Sequence, residues 1–328
     1  MAGVSTKTVS RVINNEANVA AETGERVKQA IAKLNYVPNS AARSLSRGRA
    51  MAIALVAGWS VNTAYSSMLI DNMLKDTLRV DHSLMLFPSD SRTPARVAAA
   101  FLGQQIDSIV LDSMAAENPA LIERLHALKR PYVVLHPSHL DRYDGASFVR
   151  IDNLSAAKQA TDYLIGLGHK AVGFVSFPSN MPGNERVSGY RASLEGAGID
   201  FRADYVYEAF DRPVQIGYQG ALELLSSHPE ITALFAATDE IAVGTLTAVW
   251  QLGLKVPEDI SVIGFDDISL ASLITPPLTT IHQPMEEISR TVVQMAIDMV
   301  ENPHRERVDV VLSTELVIRK SCLGPRQG

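Results

Sequence analysis

Apolar and polar positions along the chain follow two rhythms, and the texture changes near residue 50. In the first fifty residues the apolar positions recur at helical spacing. Val9, Val12 and Ile13 form one stripe, while Lys7, Arg11 and Asn14 fall at i, i+4 and i+7 on another face. Gly3 is a permissive turn residue and Ser5 a good N-cap, so the pattern predicts a turn followed by a helix. After a polar break at 14–18, residues 21–34 predict another helix with Val27, Ile31 and Leu34 inward. Pro38 closes it, because the residue before proline avoids the α region. Asn39 can cap a short basic segment, 40–47, that has no apolar stripe and would be marginal in isolation.

From residue 51, short apolar runs alternate with longer helical patterns. Strands are predicted at 51–57, 83–87, 108–111, 132–135 and 147–151, then at 171–176, 205–208, 233–236 and 261–265. Helices are predicted at 66–79, 94–104, 154–167, 184–197, 216–227 and 239–251, and a Met295/Met299 stripe with Val292 and Ala296 reads as helical core. Such alternation argues for parallel sheets with helices on both faces. Nine strands exceed one modest sheet, so two α/β subdomains are expected, with ligands at strand carboxyl ends in the cleft between them. No short tandem repeat or low-complexity segment occurs.

Charge adds to this division. Residues 1–50 carry a net +5 and the remainder −11, the footprint expected when only the head meets a polyanion. The apolar share of 46% and charged share of 20% are those of an ordinary globular protein. A single cysteine, Cys322, supports neither a disulfide framework nor a zinc site. There is no run of about 18 apolar residues and no secretory signal, so a cytoplasmic protein is expected. The chain also lacks a dinucleotide loop, a P-loop, a nucleophile elbow and clustered metal ligands. Asp239-Glu240 and Asp266-Asp267 are adjacent on loops, where side chains rarely converge on one bond. The expectation is a binding protein without cofactor or metal, and not an enzyme.

Taken in order, the motifs resemble the lactose-repressor (LacI) family of bacterial transcription regulators along essentially the whole chain. The head carries Ala2-Gly3-Val4-Ser5, Thr8-Val9-Ser10-Arg11-Val12, Asn14 and Leu34-Asn35-Tyr36-Val37-Pro38-Asn39, followed by Ala42-Arg43-Ser44-Leu45. Further on come Leu167-Gly168-His169, Arg186-Val187-Ser188-Gly189-Tyr190, and Thr238-Asp239 with Ala242 and Gly244. Gly253 to Pro257, Ser261 to Asp267 and Pro277 to Pro284 complete the series. The resemblance implies a helix-turn-helix head (1–38), a hinge helix and linker (39–50) and an effector-binding, dimerising domain (51–328). That domain would resemble periplasmic sugar-binding proteins. Its N-subdomain is expected at about 51–152 and 284–306, its C-subdomain at about 153–283 and 307–322.

By the same resemblance, Thr6, Lys7 and Arg11 lie where the family reads bases. Ser5, Thr8, Ser10, Asn14 and Tyr36 lie where it grips phosphates. Arg43 belongs to the hinge, where Leu45 matches the wedge inserted into the minor groove. Arg186 and Asp266 are the leading ligand residues, a donor fork and an acceptor suited to vicinal hydroxyls. Asn62, Tyr65, Ser89, His136, Phe210 and Thr238 complete the candidate pocket. His136 and Trp59 stand where many members carry acids, which suggests a titratable donor and an anionic or more apolar effector. The implied partners are a pseudo-palindromic operator DNA, a sugar or sugar-derived effector and a second copy of the chain; the tail after Cys322 lacks the leucine heptads of family tetramers.

Only Met1 and Ala2 precede the turn, which leaves no room for the motif's first helix. A native start upstream of Met1 is therefore expected. The alternatives are an effector-binding dimer whose truncated head reads DNA poorly, or a solute-binding protein.

Overall fold

The computed structural model describes residues 2–13, 19–34, 49–58, 63–137, 140–143, 145–178, 185–303 and 306–326. The chain divides into two compact units, Met1–Met51 and Ala52–Gly328.

In the first unit, α1 (Thr6–Ile13) follows the predicted turn, and Gly3 takes the left-handed φ of +63° that the turn requires. Ser5 caps the helix: its Oγ accepts the Thr8 amide at 3.2 Å, and its carbonyl takes the amides of Thr8 and Val9. Helix α2 (Ala21–Lys33) packs beside α1 and buries Val27. Val9, Val12, Ile13 and Ile31 are partly covered. Leu34, expected inward, is 56% exposed because it forms the C-cap, one step past the last helical residue. The predicted hinge helix lies outside the described residues.

The second unit opens with β1 (Ala52–Ala57), α3 (Ala64–Arg79), β2 (Ser83–Pro88), α4 (Thr93–Leu102) and β3 (Ser108–Leu111). The single turn α5 (Ser113–Ala116), α6 (Pro119–Leu128), β4 (Tyr132–Leu135) and β5 (Ser147–Ile151) follow. Next come α7 (Asn153–Gly166), β6 (Val172–Ser176), α8 (Glu185–Gly196), β7 (Val206–Glu208), α9 (Pro213–Ser227) and β8 (Ala233–Ala236). The series ends with α10 (Asp239–Gln251), β9 (Ser261–Ile263), β10 (Thr280–His282), α11 (Met285–Glu301), β11 (Asp309–Leu312) and β12 (Glu315–Val317). One parallel sheet has the order β11-β5-β4-β3-β1-β2, and a second has the order β7-β6-β8-β9. Strands β3, β4 and β8 are buried along their whole length, as parallel strands covered on both faces must be.

All nine predicted strands are present within a residue or two. The antiparallel pair β10–β12, β11 and the single turn α5 are additions, because segments of three or four residues leave no periodicity to read, and the ten-residue α6 is a further addition. Strand β11 also shifts a boundary. Asp309 pairs with Phe148 in the first sheet, and Arg150 grips its carboxylate through Nε and Nη2. The chain therefore crosses between sheets after residue 312, not near 306.

Close helix packing explains two of the glycines in the motifs. A Cβ on Gly189 would lie 2.2 Å from the Leu154 carbonyl of α7, and one on Gly244 would lie 1.9 Å from the Val214 carbonyl of α9.

Candidate functional site

Two surfaces gather the predicted residues. On the head, the N-cap and first turns of α1 present Ser5, Thr6, Lys7 and Ser10 to solvent, with Thr8 and Arg11 half-buried. Ser5 Oγ and Thr8 Oγ1 are 2.9 Å apart, so the two hydroxyls are held as a pair at the helix start. Short hydroxyls, a lysine and an arginine around a helix N-terminus form a surface able to donate to phosphates and base edges. Asn14, Tyr36, Arg43 and Leu45 lie outside the described residues.

The second surface is built at strand carboxyl ends. Arg186, in the first turn of α8, donates from Nε to Asn153 Oδ1 at 2.9 Å and from Nη1 to the Ala237 carbonyl at 2.5 Å. Its guanidinium lies 3.6 Å above the Phe265 ring, and Nη1 is 3.7 Å from Asp266 Oδ1. Packing, a cation–π contact and two acceptors thus hold one cation in a fixed orientation. Burial draws the Arg186 pKa down, while Asp266 and Tyr65 oppose that shift.

Asp266 follows β9 with φ of +117°, and Asp267 follows with φ of +56°. Two consecutive non-glycine residues at positive φ cost on the order of 1–3 kcal/mol each, a strain typical of functional sites. Gln283 Nε2 donates to Asp266 Oδ1 at 2.7 Å. Burial raises the Asp266 carboxyl to about 7 against the pull of Arg186. Next to it, Asp239 accepts from Thr280 Oγ1 at 2.5 Å and from the Ile268 amide at 2.9 Å, tying α10 to two neighbouring segments. Burial, and then the Asp266 charge, push Asp239 well above the usual carboxylate range. Gly264 must lack a side chain here, because a Cβ would sit 2.2 Å from Asp239 Oδ1.

From the first sheet, Tyr65 of α3 and His136 after β4 meet, with Tyr65 Oη 2.9 Å from His136 Nε2. His136 has φ of +47°, and its Nδ1 accepts from the Ile151 amide at 3.4 Å. Burial, then Arg186 and Arg150, push the His136 pKa down to about 3. The titratable donor expected at this position is therefore a neutral ring with both nitrogens engaged by the protein. Burial followed by the charge of Asp266 raises the Tyr65 pKa, so the phenol keeps its proton.

Tyr65, His136, Arg186 and Asp266 are thus in electrostatic reach of one another. Thr238 is drawn off, its Oγ1 capping α10 at the Ile241 amide. Phe210 is 79% exposed on the loop before α9, and Ser89 is partly buried after β2, where its amide donates to the Ala57 carbonyl at 2.8 Å. Asn62 and Trp59 lie outside the described residues. Sequence reasoning missed Asn153, Gln283 and Asp239 as structural partners of the site. Their signal was positional, since each follows or begins an element at a strand carboxyl end. Among the described residues Gln283 Oε1 is buried without a hydrogen-bond partner, an acceptor left for a donor to satisfy. Among the described residues no group of three or more His, Cys, Asp or Glu side chains could hold a metal, and no helix is long and apolar enough to cross a membrane.

A family model for bacterial regulatory proteins of the lacI family matches residues 1–39, and one for a periplasmic binding protein-like domain matches 161–322. The chain is 32% identical over 328 residues to the ribose operon repressor of Escherichia coli (strain K12), covering 98% of this chain and 97% of the relative. It is similar in structure to the transcriptional regulator CelR in complex with cellobiose, with a TM-score of 0.76, 31% identity and coverage of 98% and 97%. It is also similar to the lac repressor dimer bound to operator and the anti-inducer ONPF, with a TM-score of 0.80, 25% identity and coverage of 98% and 96%.

Proposed function

The chain belongs to the LacI family of bacterial regulatory proteins, and from its two surfaces we infer an operator-binding transcriptional repressor controlled by a small polyhydroxylated effector. The observation that carries the effector reading is the Arg186–Asp266 pair at the strand ends, a fixed donor fork beside an acceptor. Vicinal hydroxyls both donate and accept, so a sugar can satisfy both partners, with Tyr65 and Gln283 serving the opposite edges. The ribose operon repressor and the CelR–cellobiose complex support a carbohydrate.

On the head, Thr6, Lys7 and Arg11 read base edges, while Ser5, Thr8, Ser10, Asn14 and Tyr36 hold phosphates. Arg43 and Leu45 belong to the hinge, with Leu45 as the minor-groove wedge. The lac repressor dimer on its operator supports a two-fold assembly on a pseudo-palindromic site. Effector binding in the cleft biases the two subdomains toward one relative orientation, and operator affinity shifts by the coupling energy between the sites.

Calorimetry with D-ribose and cellobiose, paired with operator titrations, tests this. Arg186→Ala should weaken the bound sugar on the order of 100-fold through loss of charge-assisted hydrogen bonds, and should abolish the operator response. Leu45→Ala should weaken operator binding at unchanged sugar affinity. A normal response from Arg186→Ala removes that residue from the pocket, and unchanged operator affinity in Leu45→Ala removes the wedge.

A further inference from the structure

One backbone amide sets the direction of the hydrogen bonds around Tyr65. The Ile151 N–H lies 3.4 Å from His136 Nδ1, and an amide N–H can only donate, so Nδ1 carries the lone pair. Burial beside Arg186 and Arg150 keeps the ring neutral. A neutral imidazole has one N–H, which must then sit on Nε2 and donate to Tyr65 Oη at 2.9 Å. Tyr65 cannot return its own proton to a nitrogen that already holds one. Its O–H is directed elsewhere, and among the described residues Oη has no second partner.

We propose that His136 is a positioning residue that makes the Tyr65 hydroxyl a committed hydrogen-bond donor, so that the effector must set an acceptor oxygen (a ring, glycosidic or hydroxyl oxygen) against it. The proposal rests on the reading of this cleft as the effector site. It also bears on the charge of the ligand. With His136 neutral, Arg186 is the cation of the cluster among the described residues and already faces Asp266. Once that carboxyl is ionised, above about pH 7, little positive charge is left over for a carboxylate or phosphate. The fitting ligand is a neutral polyhydroxy compound, in line with the sugar implied by the resemblance and not with the anionic or more apolar effector that His136 and Trp59 suggested. A neutral histidine in place of an acid thus removes a negative charge and turns an acceptor into a donor.

Nitrogen-15 NMR of the imidazole rings of the intact chain tests the orientation without any ligand, with the His136→Gln spectrum assigning the His136 signals. The expected result is a proton on Nε2, a bare Nδ1 and no titration between about pH 8 and 5, across the ordinary histidine range. A proton on Nδ1, or protonation within that range, overturns the proposal whether or not a sugar binds. Calorimetry with D-ribose and cellobiose gives the second readout. Tyr65→Phe and His136→Leu should each weaken the bound probe about tenfold, which is about 1.4 kcal/mol. His136→Gln, whose amide can donate from near the place of Nε2, should restore affinity to within about threefold of wild type. Unchanged affinity in Tyr65→Phe overturns the donor role. If neither probe binds wild type while the Nε2 proton is as expected, the Tyr65 orientation is upheld and the choice of carbohydrate in the proposed function fails.

Discussion

At the scale of single residues, His169 shows how one buried ring imposes a pH dependence. It is 1% exposed, with Nδ1 2.8 Å from Thr232 Oγ1 and Nε2 2.8 Å from the Leu323 carbonyl. A carbonyl only accepts, so Nε2 holds the proton and the neutral ring is complete. Burial lowers its pKa, with the Leu323 hydrogen bond opposing. The unfolded chain therefore binds more protons than the fold below the ordinary histidine pKa, and stability falls as the pH drops from there toward the depressed folded value. Each proton contributes a slope of about 1.4 kcal/mol per pH unit. Asp266 runs the other way, since its raised carboxyl makes the folded state the better proton binder below about pH 7. The difference between variants isolates His169: urea midpoints of His169→Gln should fall less steeply between about pH 6.5 and 5 than those of wild type. Parallel profiles would show that His169 takes up its proton in the fold as it does in the unfolded chain. In the sequence His169 was visible only as the end of a Leu-Gly-His motif. Its partners Thr232, Ser261 and Leu323 are 63 or more positions away, beyond the reach of any local pattern.

At the scale of elements, periodicity found the long helices and the buried strands, and steric contact explains the glycines inside them. Helices α9 and α10 approach so closely that a Cβ on Gly217 would lie 1.9 Å from the Ile241 carbonyl, while Gly244 makes the reciprocal contact with Val214. Backbone on both sides leaves nothing that can yield. Gly244→Ala should therefore cost about 3 kcal/mol or more, the upper end of overpacking penalties, seen as a lowered urea midpoint. Gly24, inside α2, meets nothing within 4 Å. Gly24→Ala should instead stabilise that helix by about 0.5–1 kcal/mol, read as slower hydrogen exchange of α2 amides. Equal effects from the two substitutions would contradict the packing account. Neither sign was legible from sequence, because both positions read as glycine within a helical pattern. The missed strands β10 to β12 have the same origin, as they are defined by partners rather than by their own three or four residues.

At the scale of the molecule, the carboxyl segment closes the second sheet. Ser321 accepts from the Val262 amide through its carbonyl at 2.8 Å and takes the Thr279 amide on Oγ, and Leu323 donates its amide to Ser261 Oγ at 3.0 Å. Cys322 is buried within this ladder, and its Sγ donates to the Val262 carbonyl at 3.2 Å. Burial pushes its thiol up to about 11, so it is protonated as well as covered. A thiol reagent at neutral pH should label Cys322 only along the urea unfolding curve. Rapid labelling in native buffer would show that the segment is not docked.

Fold class, the division of the chain near residue 50 and the family were determined by the sequence by itself. They rest on local periodicity, turn chemistry and motif residues that need no partner to be read. It also named Tyr65, His136, Arg186 and Asp266, through the family resemblance and because strand carboxyl ends are where this architecture gathers ligand contacts. Tertiary structure decided which candidates meet, leaving Phe210 exposed and Thr238 spent on a helix cap, and it placed β11 in the first sheet. It alone decided that His136 is neutral. Burial, the neighbouring guanidinium groups and an amide donor from β5 set that state, and these act through distances in space that the order of residues does not encode.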